Sequence, residues 1–90
     1  MVKEYRKGQL IVLAVEFTAD NFDLIEEFTN GLARDFQSDK RINAKQYCYL
    51  KTEHGVKAIP TETMVVKTHQ GEIFSWNKDL FKKQFDVLWQ

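Results

Sequence analysis

Cysteine and proline each occur once in this chain of ninety residues, and glycine only four times. A single thiol excludes an intramolecular disulfide, so nothing calls for an oxidising compartment, and stability has to come from an apolar core. The glycines are scattered, with Gly31, Gly55 and Gly71 each isolated, so no loop of the kind that cradles phosphate is present. Long apolar runs are missing too. Leu10 to Val15 is the longest, far too short to span a bilayer and outside any signal-peptide pattern. No membrane partner is expected, and the cytoplasm is the simplest location. Neither sign of charge dominates: thirteen basic and thirteen acidic residues leave a net charge of zero. A nucleic-acid binder draws most of its affinity from neutralising phosphates, so this balance counts against that class.

What the chain does have is apolar and aromatic bulk. A hydrophobic fraction of 43% with seven Phe, three Tyr and two Trp suits a compact globule and not a disordered tail. The length suits one domain, residues 1–90. After a polar lead-in ending at Gly8, Gln9 to Phe17 is branched and apolar on both alternating sets, which predicts a strand interior to its sheet. The period then lengthens. Asp20 stands as N-cap, Asp23, Glu26 and Glu27 follow, and Phe22, Ile25, Phe28 and Leu32 form a stripe that Asn30-Gly31 ends, predicting a helix over 21–30. Ala33 to Lys45 loses periodicity and reads as a long surface loop. Gln46 to Thr52 and Val56 to Ile59 predict a hairpin across His54-Gly55, with Tyr47 and Tyr49 on one face and Cys48 and Leu50 on the other. Met64 to Thr68 and Glu72 to Trp76 predict a second hairpin with Gly71 at a bulge position. Asn77 caps a short helix over 78–84 with Leu80, Phe81 and Phe85 inward, and Val87 to Trp89 adds an edge strand. The expected class is α+β: a small, mostly antiparallel sheet with one packed helix and a short C-terminal one.

Catalytic chemistry finds little footing. Cys48, His54 and His69 are the only thiol and imidazole groups, and neither paired cysteines nor a close histidine pair offers the spacing of a zinc site. Cys48 mid-strand reads as a small buried thiol, and the two histidines as turn residues. Glu16, Glu62 and Glu72 have no spacing that demands acid–base pairing. No enzyme activity, metal or cofactor is expected. Binding has better material. Lys67, Glu72, Phe74, Trp76 and Lys78 crowd one short segment, and with Tyr5 and Arg6 they combine stacking rings with cations, the chemistry that would hold a nucleotide-like ligand or a protein surface. If Ile73 faces the core, Phe74 and Trp76 are exposed; if they face the core, the site moves elsewhere. Tyr47 and Tyr49 raise the same question on the first hairpin, and Trp89 at the terminus. Lys3, Arg6 and Lys7, then Lys40, Arg41 and Lys45, then Lys78, Lys82 and Lys83 read individually as solvated charge.

Tyr5-Arg6-Lys7, the strand ending Ala14-Val15-Glu16-Phe17-Thr18, and Asp20-Asn21 before an acidic helix resemble the opening of a family of small phage and prophage proteins. Val65-Val66-Lys67, Gly71-Glu72 and Asp79-Leu80-Phe81, with Lys83 and Phe85 following, resemble its closing hairpin and terminal segment. The likeness leaves Ala33 to Lys57 outside it. It departs at Glu62-Thr63, where the family has Gly-Asp, and at Gln9 and Lys78, where it has Pro. The resemblance implies a phage or prophage origin and a role in the host bacterial cytoplasm, with no established activity. Small accessory phage proteins often act by binding host factors. The expected function is therefore a non-enzymatic protein that inhibits or sequesters a host component, either a defence protein or a nucleotide signal. The alternatives are a nucleic-acid-binding accessory protein and a minor structural or assembly protein. A small sheet with free edges further predicts a homodimer.

Overall fold

The computed structural model describes residues 1–38 and 46–88. It is an α+β fold in which eight strands and two helices form two antiparallel sheets. The chain divides into two compact units, Met1–Glu16 with Glu62–Gln90, and Phe17–Thr61.

The first unit holds a five-stranded sheet in the order β7-β6-β2-β1-β8. Its strands are β1 (Lys3–Lys7), β2 (Leu10–Glu16), β6 (Thr63–Lys67), β7 (Ile73–Asn77) and β8 (Asp86–Val87). The doubly apolar β2 lies at the centre, as its pattern predicts. Residues 1–8, expected as a lead-in, instead form β1, paired to β2 from Lys3↔Ala14 to Lys7↔Leu10. Alternation hid it because only Tyr5 among its five residues is apolar. The β6–β7 hairpin closes at Thr68, whose amide donates to the Glu72 carbonyl at 3.0 Å. The Gly71 amide donates to the Thr68 carbonyl at the same distance, with Gly71 at φ 85°. A three-residue loop ending in a left-handed glycine is the expected bulge.

Helix α2 (Lys78–Gln84) follows β7 without a break. The Asn77 side chain accepts from the amides of Asp79 and Leu80 at 2.9 and 3.2 Å, satisfying two otherwise unpaired donors of the first turn. Phe81 and Phe85 are buried on one face of the sheet with Val12, Ala14, Met64 and Val66. Leu80, expected inward, is 52% exposed, because the two phenylalanines already fill the helix face that meets the sheet. Trp89 and the basic residues Lys40, Arg41 and Lys45 lie outside the described residues.

The second unit holds a three-stranded sheet, β3-β4-β5: β3 (Ala33–Ser38), β4 (Gln46–Thr52) and β5 (Gly55–Pro60). Half of the expected loop is thus a strand. An irregularity between Arg34 and Gln37, with Asp35 at φ 58°, inserts one extra residue opposite β4. That bulge puts the inward-facing Ala33 and Phe36 three apart and erases the period of two. Helix α1 (Phe22–Phe28) packs on β3, with Ile25 and Phe28 buried, and Phe22, Phe17 and Phe36 meet ring against ring at centroid distances of 5.3–6.5 Å. Its first cap differs from the expectation: Asn21, not Asp20, takes the cap position. The Asn21 side chain accepts from the Thr18 amide, bracing the entry turn and leaving the helix without a side-chain cap. The stop is as expected. Asn30 and Gly31 adopt positive φ, and the Gly31 amide reaches back to the Glu26 carbonyl at 2.9 Å. Leu32 falls beyond the helix and is exposed. Thr29, fully buried, donates its hydroxyl to the Ile25 carbonyl at 2.9 Å and accepts from the Ala33 amide at 3.0 Å, tying α1 to β3.

Candidate functional site

Strand alternation sorts the predicted site residues of the first unit between two sheet faces. Tyr5, Phe74 and Trp76 share the face on which α2 lies, because Tyr5 pairs Val12, Phe74 pairs Val66 and Trp76 pairs Met64. Arg6 pairs Ile11 on one side and Asp86 on the other, and Lys67 pairs Leu13 and Ile73, which places both cations on the opposite face. There Lys67 lines a shallow depression of about 250 Å³ with Glu4, Leu13 and His69. Glu72 is the closing residue of the hairpin, its amide donating to the Thr68 hydroxyl at 3.2 Å. The cations and rings expected to converge as Tyr5, Arg6, Trp76 and Lys78 therefore do not form one pocket: Arg6 stands across the sheet from the other three.

The rings that do converge are engaged in packing. Tyr5 meets Phe81 edge-on at 4.7 Å. Trp76 meets Phe81 and Phe85 edge-on at 6.2 and 5.5 Å, and Phe81 stacks on Phe85 at 4.5 Å. Ile73 is buried and Phe74 is 39% exposed, so β7 uses both of its faces and only Phe74 remains as an open ring. Lys78 is bound to Glu16, with Nζ 3.2 Å from Oε2. That hydrogen bond and the Glu16 charge, with Glu62 and Asp79 adding to them, raise the Lys78 pKa. Burial first, then the Glu16 charge, raises that of the Tyr5 hydroxyl. Three carboxylates around one ammonium make this corner unfavourable for an anionic ligand.

The second unit offers a different surface. Tyr47 and Tyr49 point to the outer face of the three-stranded sheet, edge to face at 5.7 Å, while Cys48 and Leu50 are buried beneath. Burial pushes the Cys48 thiol up to about 11, and His54 is exposed in the turn. Across the sheet Tyr49 lies between Arg34 on β3 and Ala58 on β5, and Lys51 lies beside Val56. Arg34, Tyr49, Lys51 and Val56 form with Leu32 a shallow depression of about 240 Å³ lined also by Gly31 and Asp35. Arg34 Nε donates to the Gly31 carbonyl at 2.7 Å, which fixes the guanidinium over the turn that ends α1. Leu32, Tyr49 and Val56 are exposed, Val56 by 65%. Sequence reasoning singled out the two tyrosines but missed Arg34, which the bulge in β3 brings beside Tyr49.

No family model matches the chain, and no curated protein or solved structure matches it. Among the described residues, no helix is long and apolar enough to cross a membrane. The arrangement can do one thing well. Exposed Tyr49 with half-buried Tyr47 beside it, two aliphatic side chains and two cations offer apolar area, a hydroxyl handle and positive charge to a partner without enclosing it.

Proposed function

We propose that this chain is a non-enzymatic accessory protein of phage or prophage origin that acts in the host cytoplasm by binding and inhibiting or sequestering a host protein, a defence protein among the candidates. The contact surface is the outer face of the β3-β4-β5 sheet. The observation that carries this reading is the Tyr47–Tyr49 pair standing on that face with exposed Leu32 and Val56 and the cations Arg34 and Lys51 around it. Exposed aromatic clusters of this kind supply the anchor residues of protein interfaces. A protein partner is favoured over a nucleotide signal on size. The depression holds about 240 Å³, below the roughly 300–1,000 Å³ typical of small-molecule sites, and Asp35 in its lining opposes an anion. A single-stranded nucleic acid could stack on the two tyrosines, but the zero net charge leaves little phosphate attraction.

The test is capture from infected cells with the tagged protein, followed by identification of both proteins and small molecules. The expected result is one host protein retained by the wild type and lost with Tyr49→Ala or Lys51→Glu, with affinity falling at least about tenfold as for an interface anchor. Recovery of a nucleotide or nucleic acid in its place, or equal capture by the variants, overturns the assignment.

A further inference from the structure

Among the described residues no strand pairs with the outer edge of β5, which carries a second surface, built from backbone rather than side chains. The Thr61 amide donates to the Gln46 carbonyl at 3.0 Å, one step beyond the Tyr47↔Pro60 pair. Hydrogen-bonded and non-bonded pairs alternate in an antiparallel ladder, so Cys48–Ile59, Leu50–Lys57 and Thr52–Gly55 are the bonded pairs. Val56, Ala58 and Pro60 then turn their backbone groups away from β4, toward open solvent. Pro60 sits where its missing amide removes nothing from the sheet. Other edges are shorter or interrupted: β8 has two residues, β3 carries the bulge, and β7 has five residues with Ile73 buried. On β5 all but Ile59 are exposed.

We propose that β5 pairs antiparallel with β5 of a second copy of this chain about a two-fold axis at Ala58, joining two three-stranded sheets into one of six. In this register the Ala58 amide and carbonyl of each copy bond those of the other, and each Val56 amide donates to the second copy's Pro60 carbonyl. Every outward N–H of the edge finds an acceptor. Sliding toward Pro60 leaves the Val56 amides unpaired. Sliding the other way, to an axis at Lys57, keeps the bonds but sets Lys57 directly against Lys57 in the close, non-bonded position, where like charges repel. At the Ala58 axis Lys57 faces Ile59 instead. The edge thus carries two features that commonly discourage strand addition, a lysine and a proline, and here they select a single self-complementary register. Val56, Ala58 and Pro60 of both copies lie on the same face as Tyr47 and Tyr49, so the apolar strip runs unbroken across the junction. This pairing stands whether or not the outer face holds a host protein.

Light scattering on the full chain, with oxidative cross-linking of single-cysteine additions, tests it. The expected mass at micromolar concentration is that of a dimer. Bonded pairs across an antiparallel junction have Cα atoms about 5.5 Å apart, within disulfide reach, so Ala58→Cys should form a covalent dimer readily. The two Lys57 Cα atoms would stand roughly 8 Å apart, so Lys57→Cys should cross-link at least about tenfold more slowly. Wild type, whose lone Cys48 is buried, is the control. Ala58→Asp, at an exposed position, should give a monomer with unchanged circular dichroism. A monomeric wild type up to about 100 μM, Lys57→Cys cross-linking as fast as Ala58→Cys, or a dimeric Ala58→Asp would each overturn the proposal.

Discussion

In the unit built from Met1–Glu16 and Glu62–Gln90, Tyr5, Trp76, Phe81 and Phe85 lie ring against ring where α2 meets the sheet. In the Phe17–Thr61 unit the Tyr47–Tyr49 pair stands on a sheet face open to solvent. β7, with Phe74 and Trp76, and β4, with Tyr47 and Tyr49, both set two large aromatic residues on one face. What separates them is the next element. Asn77 starts α2 directly at the end of β7, so the helix folds back over Trp76 and converts an amphipathic ring into packing. No such helix follows β5. An aromatic stripe on a strand thus acquires its role from what the chain does a few residues later.

Truncating a ring in each region separates packing from binding most sharply. Phe81 is fully buried at the centre of its cluster, and Phe81→Ala should destabilise the protein by about 3–5 kcal/mol in urea titrations. Tyr49→Ala, read in the same titration, should leave the midpoint nearly unchanged. If the two variants lost similar stability, the contrast between the regions would fail.

A smaller effect probes the interior beneath the tyrosines. Burial raises the Cys48 thiol from 9.0 to about 11, so the folded state holds this proton more tightly than the unfolded chain. The stability linked to it is whole below about pH 9 and is lost as pH rises through about 11. Between these values wild type should lose up to about 2 kcal/mol more than Cys48→Ala, whose other titrating groups are the same. Equal alkaline slopes in the two proteins would place Cys48 near solvent and weaken the claim that only one face of β4 is open.

The smallest effect addresses the cause of the contrast. Asn77→Ala removes the acceptor for two amides of α2 and should lower stability by about 1 kcal/mol. In a Trp89→Phe background it should also increase the fluorescence quenching of Trp76 by solvent quenchers, as the helix start frays over it. A change in stability with no change in quenching would mean that α2 does not control the exposure of Trp76.

Much of the fold was legible because β2, both hairpins and both helices carry their periods in apolar residues. Two strands were not. In β1 the sequence Lys-Glu-Tyr-Arg-Lys has a single apolar residue to mark a face, and its pairing comes from β2 and β8, far apart in the chain. In β3 the bulge at Asp35 breaks the alternation that would have revealed it. The site suffered from the same gaps. Proximity in sequence gathered Lys67, Glu72, Phe74, Trp76 and Lys78, but a strand sends neighbours to opposite faces, and Glu16, remote in sequence, holds Lys78. Arg34 went unnoticed because its strand did.

The chain leaves the five-stranded sheet after Glu16 and re-enters it at Thr63, with Met64 paired directly to Glu16. The central pairing of that sheet therefore closes a loop made of the entire Phe17–Thr61 unit, whose own contacts are all local by comparison. Loop-closure entropy rises with the length of free chain, and non-local pairing sets the pace of folding. If the inserted unit collapses first, it holds the two ends of a long tether and shortens the search that β2 and β6 must make. The interrupted connectivity thus predicts an order of events: the meander and its helix should form early, and the sheet that flanks them in sequence should be sealed last.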